Sequence, residues 1–349
     1  MNRHSDTGQI MPAEWEPHEA TWVAWPHNTS DWPGKIAAIH FVYVEIVRNI
    51  VRGELARVIV SDEKHERKAA RLLHNAGVDL SQVEFFRVPT DRGWTRDFGP
   101  IFVQKGGKTA VAGFRFNGWA KYPDHKKDEK AAEKLAKKLG KEFLPVVHNG
   151  KRLVLEGGAI DVNGRGTLLT TEECLLDPQV QVRNPGVSRE EYESILAASL
   201  GATNVLWLNK GIAGDDTHGH VDDLCRFVNA TTAVLCRESN PADANYGPLE
   251  ENRERLEGFR LEDGSKVQAE FLPMPEPVIH KGQRLPASYA NFLITNAAVL
   301  VPTFNDPNDR TALGILSEFF PGRKVIGIHA VDLVWGLGTL HCLSQQQPQ

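Results

Sequence analysis

WGLGTLHCLSQQQ, residues 335–347, places one cysteine, Cys342, in a polar segment that follows two glycines. Glycine lets a backbone approach a ligand closely, and the thiolate of a cysteine is a nucleophile that polar surroundings can stabilise. A free cysteine is also a small hydrophobic residue that proteins usually bury. The segment by itself is compatible with either role, so the choice depends on whether the rest of the chain supplies a base and a substrate site.

The composition is typical of a globular protein. With 349 residues the chain can build a sizeable core without disulfide bonds, and its net charge of -5, with no basic stripe, argues against nucleic acid as a partner. The polar start MNRHSDT does not resemble a signal peptide, and no apolar run is long enough to cross a bilayer. The four cysteines form no CxxC pair, which favours a reducing compartment. We therefore predict a cytoplasmic protein with no membrane partner.

Hydrophobic periodicity divides the chain into alternating helices and strands. Helices are predicted over residues 35–51, 63–75, 124–139, 248–259 and 311–319, and from Ser188, which has capping-box spacing to Glu191. Strands are predicted over residues 20–26, 57–60, 83–88, 101–103, 109–116, 152–161, 204–208, 224–228, 232–236, 288–295 and 298–301. Residues 90–100 are predicted to form a loop, and the strand over 152–161 carries Glu156 into a pair of glycines.

One unit recurs along the chain: a polar anchor residue, a hairpin, a helix and a strand. The anchors are Asp97, Glu156, Asp222, Asn291 and Cys342, which by subtraction lie 59, 66, 69 and 51 residues apart. Self-similarity at such a period indicates a repeat architecture. We predict an α/β fold in which five ββα-type units surround one axis as a pseudo-symmetric five-bladed propeller, with all five anchors at one end. Since no linker composition interrupts the chain, residues 1–349 are predicted to form one domain.

The anchors as a group indicate a cationic substrate. Several carboxylates around a thiol disfavour the thiolate, so they suit neither an anionic substrate nor an empty site. A guanidinium group is a planar cation whose forked N–H donors match carboxylates. Its arrival favours the neighbouring thiolate, and its carbon is electrophilic, so a thiolate held against it could attack.

Five motifs in the chain resemble, in order, those of the agmatine deiminases and their relatives, the bacterial peptidylarginine deiminases. They are WTRDFGP (94–100), FNGW (116–119), LEGG (155–158), DTHGHVD (216–222) and GTLHC (338–342). The resemblance implies a pentein-like five-bladed propeller of ββαβ repeats, no metal and no cofactor. It also implies that agmatine is hydrolysed to N-carbamoylputrescine and ammonia through a covalent S-amidino-cysteine.

The resemblance also implies a role for each anchor. Cys342 would be the nucleophile, Asp97 and Asp222 would hold the guanidinium nitrogens, and His220 would protonate the leaving ammonia and then activate water. Glu156 would pair with the guanidinium or with His220. The implied substrate-binding residues are Trp94, Trp119, Asp216, Asn291 and Gly338.

The chain departs from the family pattern at two places. Agmatine deiminases often continue Phe-Asn with Ala-Trp-Gly-Gly, whereas residues 118–121 are Gly-Trp-Ala-Lys. They often have three glycines before the cysteine segment, where residues 336–338 are Gly-Leu-Gly. Both departures bear on the far end of the substrate rather than on the reaction.

Structural roles remain open for several of these residues. Asp97 could cap a loop, Glu156 and Asn291 could be turn residues, and Trp94 and Trp119 could be core aromatics. The other three cysteines lie in apolar segments predicted to be strands, and we expect them to be packing residues. They are Cys174, Cys225 and Cys236.

Other functions remain open as well. His218, His220 and Asp222 resemble the HxHxDH motif of metallo-β-lactamase-type zinc hydrolases, although Asp223 stands where that motif has its last histidine. A non-catalytic guanidine-binding module would keep the carboxylates without needing Cys342.

Free or peptidyl arginine is an alternative substrate, since an arginine near the motifs could bind the carboxylate of such a substrate. The candidates are Arg92, Arg96, Arg115 and Arg226. For each deiminase reaction considered, the partner is a small guanidino cation. Self-association into a homo-oligomer is left open.

Overall fold

The computed structural model describes residues 8–349. The polar start on which the prediction of no signal peptide rests, residues 1–7, lies outside the described residues. Within residues 8–349, no helix has both the length and the apolar character that crossing a bilayer requires.

The described chain alternates short strands and helices. The strands are β1 (Gln9–Ile10), β2 (His18–Ala24), β3 (Leu55–Val60), β4 (Val83–Arg87), β5 (Ile101–Lys105), β6 (Lys108–Gly113), β7 (Phe143–Pro145), β8 (Val147–His148), β9 (Lys151–Arg152), β10 (Asp161–Val162), β11 (Thr167–Thr171), β12 (Asn204–Leu208), β13 (Cys225–Phe227), β14 (Thr232–Arg237), β15 (Gln268–Pro273), β16 (Ile279–His280), β17 (Gln283–Arg284), β18 (Leu293–Ile294), β19 (Ala298–Thr303), β20 (Lys324–His329) and β21 (Ser344–Pro348). The helices are α1 (Ile36–Ile50), α2 (Glu63–Asn75), α3 (Thr95–Phe98), α4 (Ala131–Leu139), α5 (Glu172–Leu176), α6 (Arg189–Leu200), α7 (Tyr246–Gly258) and α8 (Pro307–Phe319). Short 3₁₀ helices cover Leu80–Gln82, Asp128–Lys130, Gly157–Ala159, Val221–Asp223 and Leu333–Gly336.

Five sheets share one pairing pattern, in which an antiparallel pair is extended by a parallel strand. The pattern holds for β5-β6-β7, β10-β11-β12, β13-β14-β15, β18-β19-β20 and β21-β2-β3. Parallel neighbours need a crossover connection, and a helix lies in the chain between each such pair: α4, α6, α7, α8 and α1 respectively. The result is a mixed α/β fold.

The last sheet joins the two ends of the described chain. β21 pairs antiparallel with β2, with Thr21 opposite Gln346 and Val23 opposite Ser344, and β3 and β4 continue the sheet in parallel. Both β2 and β21 are almost entirely buried. The segment that carries Cys342 is therefore held by an interior strand pair rather than by a surface turn.

Local sequence signals set several helix boundaries. The prediction of a helix over 63–75 is confirmed, and Asp62 caps it by accepting a hydrogen bond from the backbone N–H of His65 at 2.8 Å. The predicted capping box at the start of α6 is also confirmed, since Ser188 and Glu191 each accept from the other's backbone. The helix predicted over 124–139 begins later, as a 3₁₀ turn from Asp128 that leads into α4.

The strand predicted over 288–295 is reduced to β18, and two further predicted elements are wrong, both at the site described below. Residues 90–100 are not a plain loop, because Thr95–Phe98 form the short helix α3, in which the N–H of Arg96 donates to the carbonyl of Cys342 at 3.1 Å. Residues 152–161 are not a continuous strand, because a 3₁₀ turn at Gly157–Ala159 interrupts them. Contacts with distant parts of the chain override the local pattern in both cases.

Candidate active site

The five anchors come from separate elements and meet in the interior. Asp97 lies on α3, Glu156 precedes the 3₁₀ turn at Gly157–Ala159, and Asp222 lies in the 3₁₀ turn at Val221–Asp223. Asn291 precedes β18, and Cys342 precedes β21. All five are buried.

The thiol of Cys342 sits between an amide and a carboxylate. Asn291 Nδ2 donates to Cys342 Sγ at 3.0 Å, and the sulfur lies 3.7 Å from Asp222 Oδ2. Burial raises the pKa of Cys342 well above its ordinary value, and the charges of Asp222, Asp223 and Asp97 raise it further, against the small lowering effect of Asn291. The thiol of the empty site is therefore protonated at neutral pH.

Asn291 organises the cysteine segment. Its Oδ1 accepts from Thr339 Oγ1 at 2.8 Å and from the N–H of His341 at 3.0 Å, while its Nδ2 also donates to Asp223 Oδ1 at 2.9 Å. Both ends of this buried amide are thus used to position the residues around the thiol. The structure brings Asn291 to the sulfur, but not to the wall of the cavity described below.

Asp222 and Asp223 are adjacent in sequence but differ in their preferred ionisation. Hydrogen bonding to His341 Nδ1 at 2.6 Å and the nearby positive charges lower the pKa of Asp222, although burial alone would raise it. Burial raises the pKa of Asp223 well above its ordinary value, and the charge of Asp222 adds to that effect. Asp222 is therefore the ionised member of the pair, and its Oδ1 has no hydrogen-bond partner in the described part of the chain.

Asp97 and His220 face each other across 3.7 Å, from Oδ1 to Nδ1. Asp97 accepts from Trp119 Nε1 at 2.8 Å and from the N–H of Gly158 at 3.1 Å. Burial raises the pKa of Asp97 to about 6, opposed by His220 and reinforced by Asp222 and Glu156. Burial would lower the pKa of His220, but Asp97, the Cys174 sulfur and Glu156 together raise it well above its ordinary value. His220 is thus a buried imidazolium held among anionic groups.

Glycine at position 158 is required by this close packing. A Cβ there would lie 2.6 Å from His220 Nδ1 and 2.8 Å from Asp97 Oδ1, distances that no side chain tolerates. Gly338 is constrained in the same way, since a Cβ there would lie 2.8 Å from Trp94 Cζ3 and 3.2 Å from Cys342 Sγ. The Gly-Gly pair and the glycine before Cys342 therefore allow backbone to pack against reactive side chains.

A cavity of about 220 Å³ leads to the thiol, with Asp97 and Cys342 in its lining. Aromatic side chains form much of the wall: Trp94, Trp119, Tyr122 and Trp335. Trp94 and Trp119 also belong to the main hydrophobic core, so the same two side chains line the cavity and pack in the core. A narrow passage walled by rings suits a flat cation.

Two acidic residues line the outer part of the cavity. Asp31 Oδ2 has no hydrogen-bond partner among residues 8–349, and burial raises the pKa of Asp31 to about 6 despite the opposing charge of Arg92. Asp216 accepts from Lys121 Nζ at 2.5 Å and from the Tyr122 hydroxyl at 2.7 Å. Lys121 belongs to the segment that departs from the family pattern, so that departure alters the surroundings of Asp216.

The four arginines near the motifs are engaged by protein groups. Arg96 and Arg226 are buried, the first donating to Gln346 Oε1 at 2.6 Å and the second to Glu14 Oε2 at 2.5 Å. Arg115 is partly exposed and pairs with Glu129. Arg92 lines the cavity, where its guanidinium lies between Asp31 and Asp124.

The ligand set of the zinc-hydrolase alternative is not assembled. His218 Nε2 lies 2.9 Å from Asp177 Oδ2, and its other ring nitrogen faces Glu173. Among residues 8–349, no group of potential metal ligands combines His218 with His220 and Asp222. His218, His220 and Asp222 are therefore close in sequence but do not form one ligand group.

The sequence did not predict three residues that contact the anchors or the partners of the anchors. His341 bridges Asp222 and Glu14, with Nε2 at 2.8 Å from Glu14 Oε2. Arg183 donates from Nε to Glu156 Oε1 at 3.1 Å, within a fully buried pair. His341 directly precedes Cys342 in the GTLHC motif, so the sequence could have indicated it as a site residue. No feature of the sequence indicates Glu14 or Arg183.

The strand predicted at Cys174 is wrong, whereas its predicted packing role is confirmed, because Cys174 is buried within a hydrophobic cluster. Cys174 lies on α5 rather than in an apolar strand, and its Sγ lies within 4.8 Å of ligand atoms of both Glu156 and His220. Thr171 caps the start of α5, since its Oγ1 accepts from the backbone N–H of Cys174 at 3.1 Å.

Comparison with known proteins gives full-length similarity. Residues 10–348 match the family described as Porphyromonas-type peptidyl-arginine deiminase. An agmatine deiminase of Ectopseudomonas mendocina is 34% identical, with 98% of this chain and 96% of that protein covered. Among solved structures, the agmatine deiminase of Enterococcus faecalis has a TM-score of 0.89 at 29% identity, with 98% of this chain and 96% of that chain covered. A cysteine-to-serine variant of C. jejuni agmatine deiminase with substrate bound has a TM-score of 0.87 at 30% identity, with the same coverage.

Proposed function

The chain belongs to the Porphyromonas-type peptidyl-arginine deiminase family, and from that premise we propose that this enzyme hydrolyses agmatine to N-carbamoylputrescine and ammonia. The observation that carries the proposal is the Cys342 thiol beside ionised Asp222 and opposite Asp97, at the inner end of a narrow aromatic cavity. Carboxylates around a thiol suit a substrate that is both cationic and electrophilic.

The first step depends on substrate charge. The guanidinium lies between Asp97 and Asp222, where it neutralises the carboxylates that keep the thiol protonated. Cys342 then loses its proton to solvent in the cavity, and the thiolate forms a C–S bond to the guanidinium carbon. Because the empty enzyme holds an unreactive thiol, activation is coupled to binding of the correct cation.

His220 serves as the acid and then as the base. As an imidazolium it gives a proton to the departing nitrogen, and ammonia leaves the S-amidino intermediate. Neutral His220 then takes a proton from a water that attacks the amidino carbon, the C–S bond breaks, and the urea product is released. The raised pKa of His220 supports its protonated state at the start of this sequence.

We also propose that the five sheets are blades of one five-bladed propeller within a single domain over residues 1–349. Two features support this arrangement: the pairing pattern shared by the five sheets, and the convergence of one anchor from each repeat. A cytoplasmic location, the lack of a nucleic-acid partner and self-association stay predictions from the sequence.

We expect agmatine to be a better substrate than L-arginine or a C-terminal arginyl peptide. The outer cavity contains the carboxyls of Asp31 and Asp216, which favour a distal amine over a carboxylate. The arginine in its wall, Arg92, is already paired with Asp31 and Asp124. Measured kcat/KM values for the three compounds at one pH test this expectation. Faster turnover of arginine or the peptide would contradict the agmatine assignment and leave a deiminase of free or peptidyl arginine.

We expect exhaustive chelation to leave kcat/KM for agmatine unchanged, because a cysteine nucleophile needs no Lewis acid to generate it. The measurement is activity before and after dialysis against a strong chelator, with the metal content of both samples determined. Stoichiometric zinc in the active enzyme, with activity lost on its removal and restored on its return, would contradict the cysteine mechanism.

A further inference from the structure

A second thiol lies behind the candidate acid–base residue. The ligand atoms of Glu156, Cys174 and His220 all lie within 4.8 Å of one another, and all three residues are buried. The proposed reaction uses the imidazole and the carboxylate but has no role for Cys174. A thiol, an imidazole and a carboxylate together form a donor set that zinc binds well, with a fourth position open to solvent or substrate.

The carboxylate and imidazole of this cluster have few partners, and the Cys174 thiol interacts with His220. Glu156 Oε2 and both ring nitrogens of His220 have no hydrogen-bond partner in the described chain. Arg183 holds the other carboxylate oxygen, Oε1, and Oε2 lies 3.9 Å from His220 Nε2. Buried polar atoms are almost always paired, so these unpaired atoms indicate that a bound group completes the site.

A neighbouring cluster of similar composition is less suited to a metal. Asp222, Asp223 and Cys342 also lie within 4.8 Å of one another. Asp222 Oδ2 already accepts from His341, however, and both Asp223 Oδ1 and Cys342 Sγ accept from Asn291. Binding there would break three hydrogen bonds, whereas binding at Cys174 and His220 replaces only the one between those two side chains.

We propose that Glu156, Cys174 and His220 form an inhibitory binding site for Zn²⁺. Zinc bonds of about 2.0–2.3 Å require the three ligand atoms to close by roughly 1 Å around the ion. Binding releases to the buffer the protons carried by the Cys174–His220 pair, and leaves the ion bonded to sulfur, nitrogen and oxygen. The cavity is the route we propose for the ion, since Asp97 lines the cavity and lies 3.7 Å from His220, from Oδ1 to Nδ1.

Zinc at this site stops the reaction by occupying the imidazole that must donate and accept protons. Only this inhibitory consequence rests on the proposed function, whereas metal binding itself does not. The enzyme freed of zinc by chelation is fully active under this proposal, in agreement with the chelation experiment above.

The binding test uses the full-length Cys342→Ser variant, which removes the competing thiol. Co²⁺ added as a spectroscopic substitute for zinc should bind with one equivalent and show thiolate-to-metal absorption. The same absorption should disappear in the Cys174→Ser/Cys342→Ser double variant and persist in a matched Cys236→Ser/Cys342→Ser control. Absorption that survives the loss of Cys174 would overturn the assignment.

X-ray absorption of zinc-loaded Cys342→Ser enzyme provides a measurement that needs no change at Cys174. We expect one sulfur at about 2.3 Å and at least one imidazole in the zinc shell. A shell without sulfur would overturn the proposal even if variants at Cys174 failed to fold.

The activity test compares zinc inhibition of the wild type with that of Cys174→Ser, each relative to its own metal-free rate. The concentration of free Zn²⁺ giving half inhibition should rise at least about ten-fold in the variant, since one of three protein ligands is lost. Equal sensitivity in the two enzymes would contradict inhibition through this site. Cobalt binding by the Cys342→Ser variant, together with no deiminase activity in the wild type, would instead support the metal site and contradict the proposed function.

Discussion

Replacing Cys342 with alanine is expected to reduce kcat for agmatine by at least about four orders of magnitude. The sulfur is the atom proposed to bond to the guanidinium carbon, and no other cysteine takes part in the cluster of Cys342 with Asp222 and Asp223. The fold should persist, because alanine fits the space of the buried thiol and removes a group whose ionisation the empty site disfavours. Ammonia release and the thermal unfolding midpoint are the two measurements.

The matched control for this substitution is Cys236→Ala. Cys236 is equally buried, on β14, with its Sγ 3.2 Å from Ser288 Oγ, and it belongs to neither ligand cluster. We expect nearly normal kcat from this control. Mass spectrometry of a variant slowed at His220 should also show an amidino adduct on the peptide containing Cys342. Normal turnover by Cys342→Ala would contradict the covalent mechanism.

Asp222→Asn is expected to lower kcat/KM by about two to four orders of magnitude, corresponding to the roughly 3–5 kcal/mol lost when one partner of a buried ion pair is removed. Asp222 is ionised in the empty site, and its unpaired Oδ1 is available to a guanidinium nitrogen. Asp97→Asn should show a loss of similar size for the same reason. Near-normal kinetics in both variants would require the guanidinium to bind elsewhere.

Asp223→Asn offers a control one residue away. Because the pKa of Asp223 is raised well above its ordinary value, the carboxyl is neutral before the substitution, and asparagine retains the oxygen that accepts from Asn291. We expect kcat/KM to change by less than about ten-fold, the size of a neutral hydrogen-bond effect. Equal losses at positions 222 and 223 would indicate a general structural effect rather than loss of a specific charge.

Helices with strong local signals could be predicted from the sequence. The bounds of α2 were predicted to the residue, because Asp62 caps its start and a polar, amphipathic segment follows. The capping box of α6 was equally clear. The anchors were also identifiable, since motif order and spacing singled them out before any contact between them was known.

The elements nearest the thiol could not be predicted in this way. The helix α3 is tied to the carbonyl of Cys342, and the turn at Gly157–Ala159 donates from Gly158 to Asp97. These hydrogen bonds join residues far apart in sequence, so a local pattern of apolar and polar residues contains no information about them. The proximity of Cys174 to His220 and Glu156 could not be predicted for the same reason, because the three residues belong to separate segments of the chain.

The sequence by itself determined which residue types are present, where the chain repeats, and that a thiol accompanies several carboxylates and a histidine. Only the tertiary structure decided which of these groups are charged. Asp222 and Asp223 are chemically identical and adjacent, yet His341 lowers the pKa of the first while burial raises that of the second. A pKa depends on the solvent exclusion and the charges surrounding a group in space, and here those surroundings come from elements more than a hundred residues away along the chain.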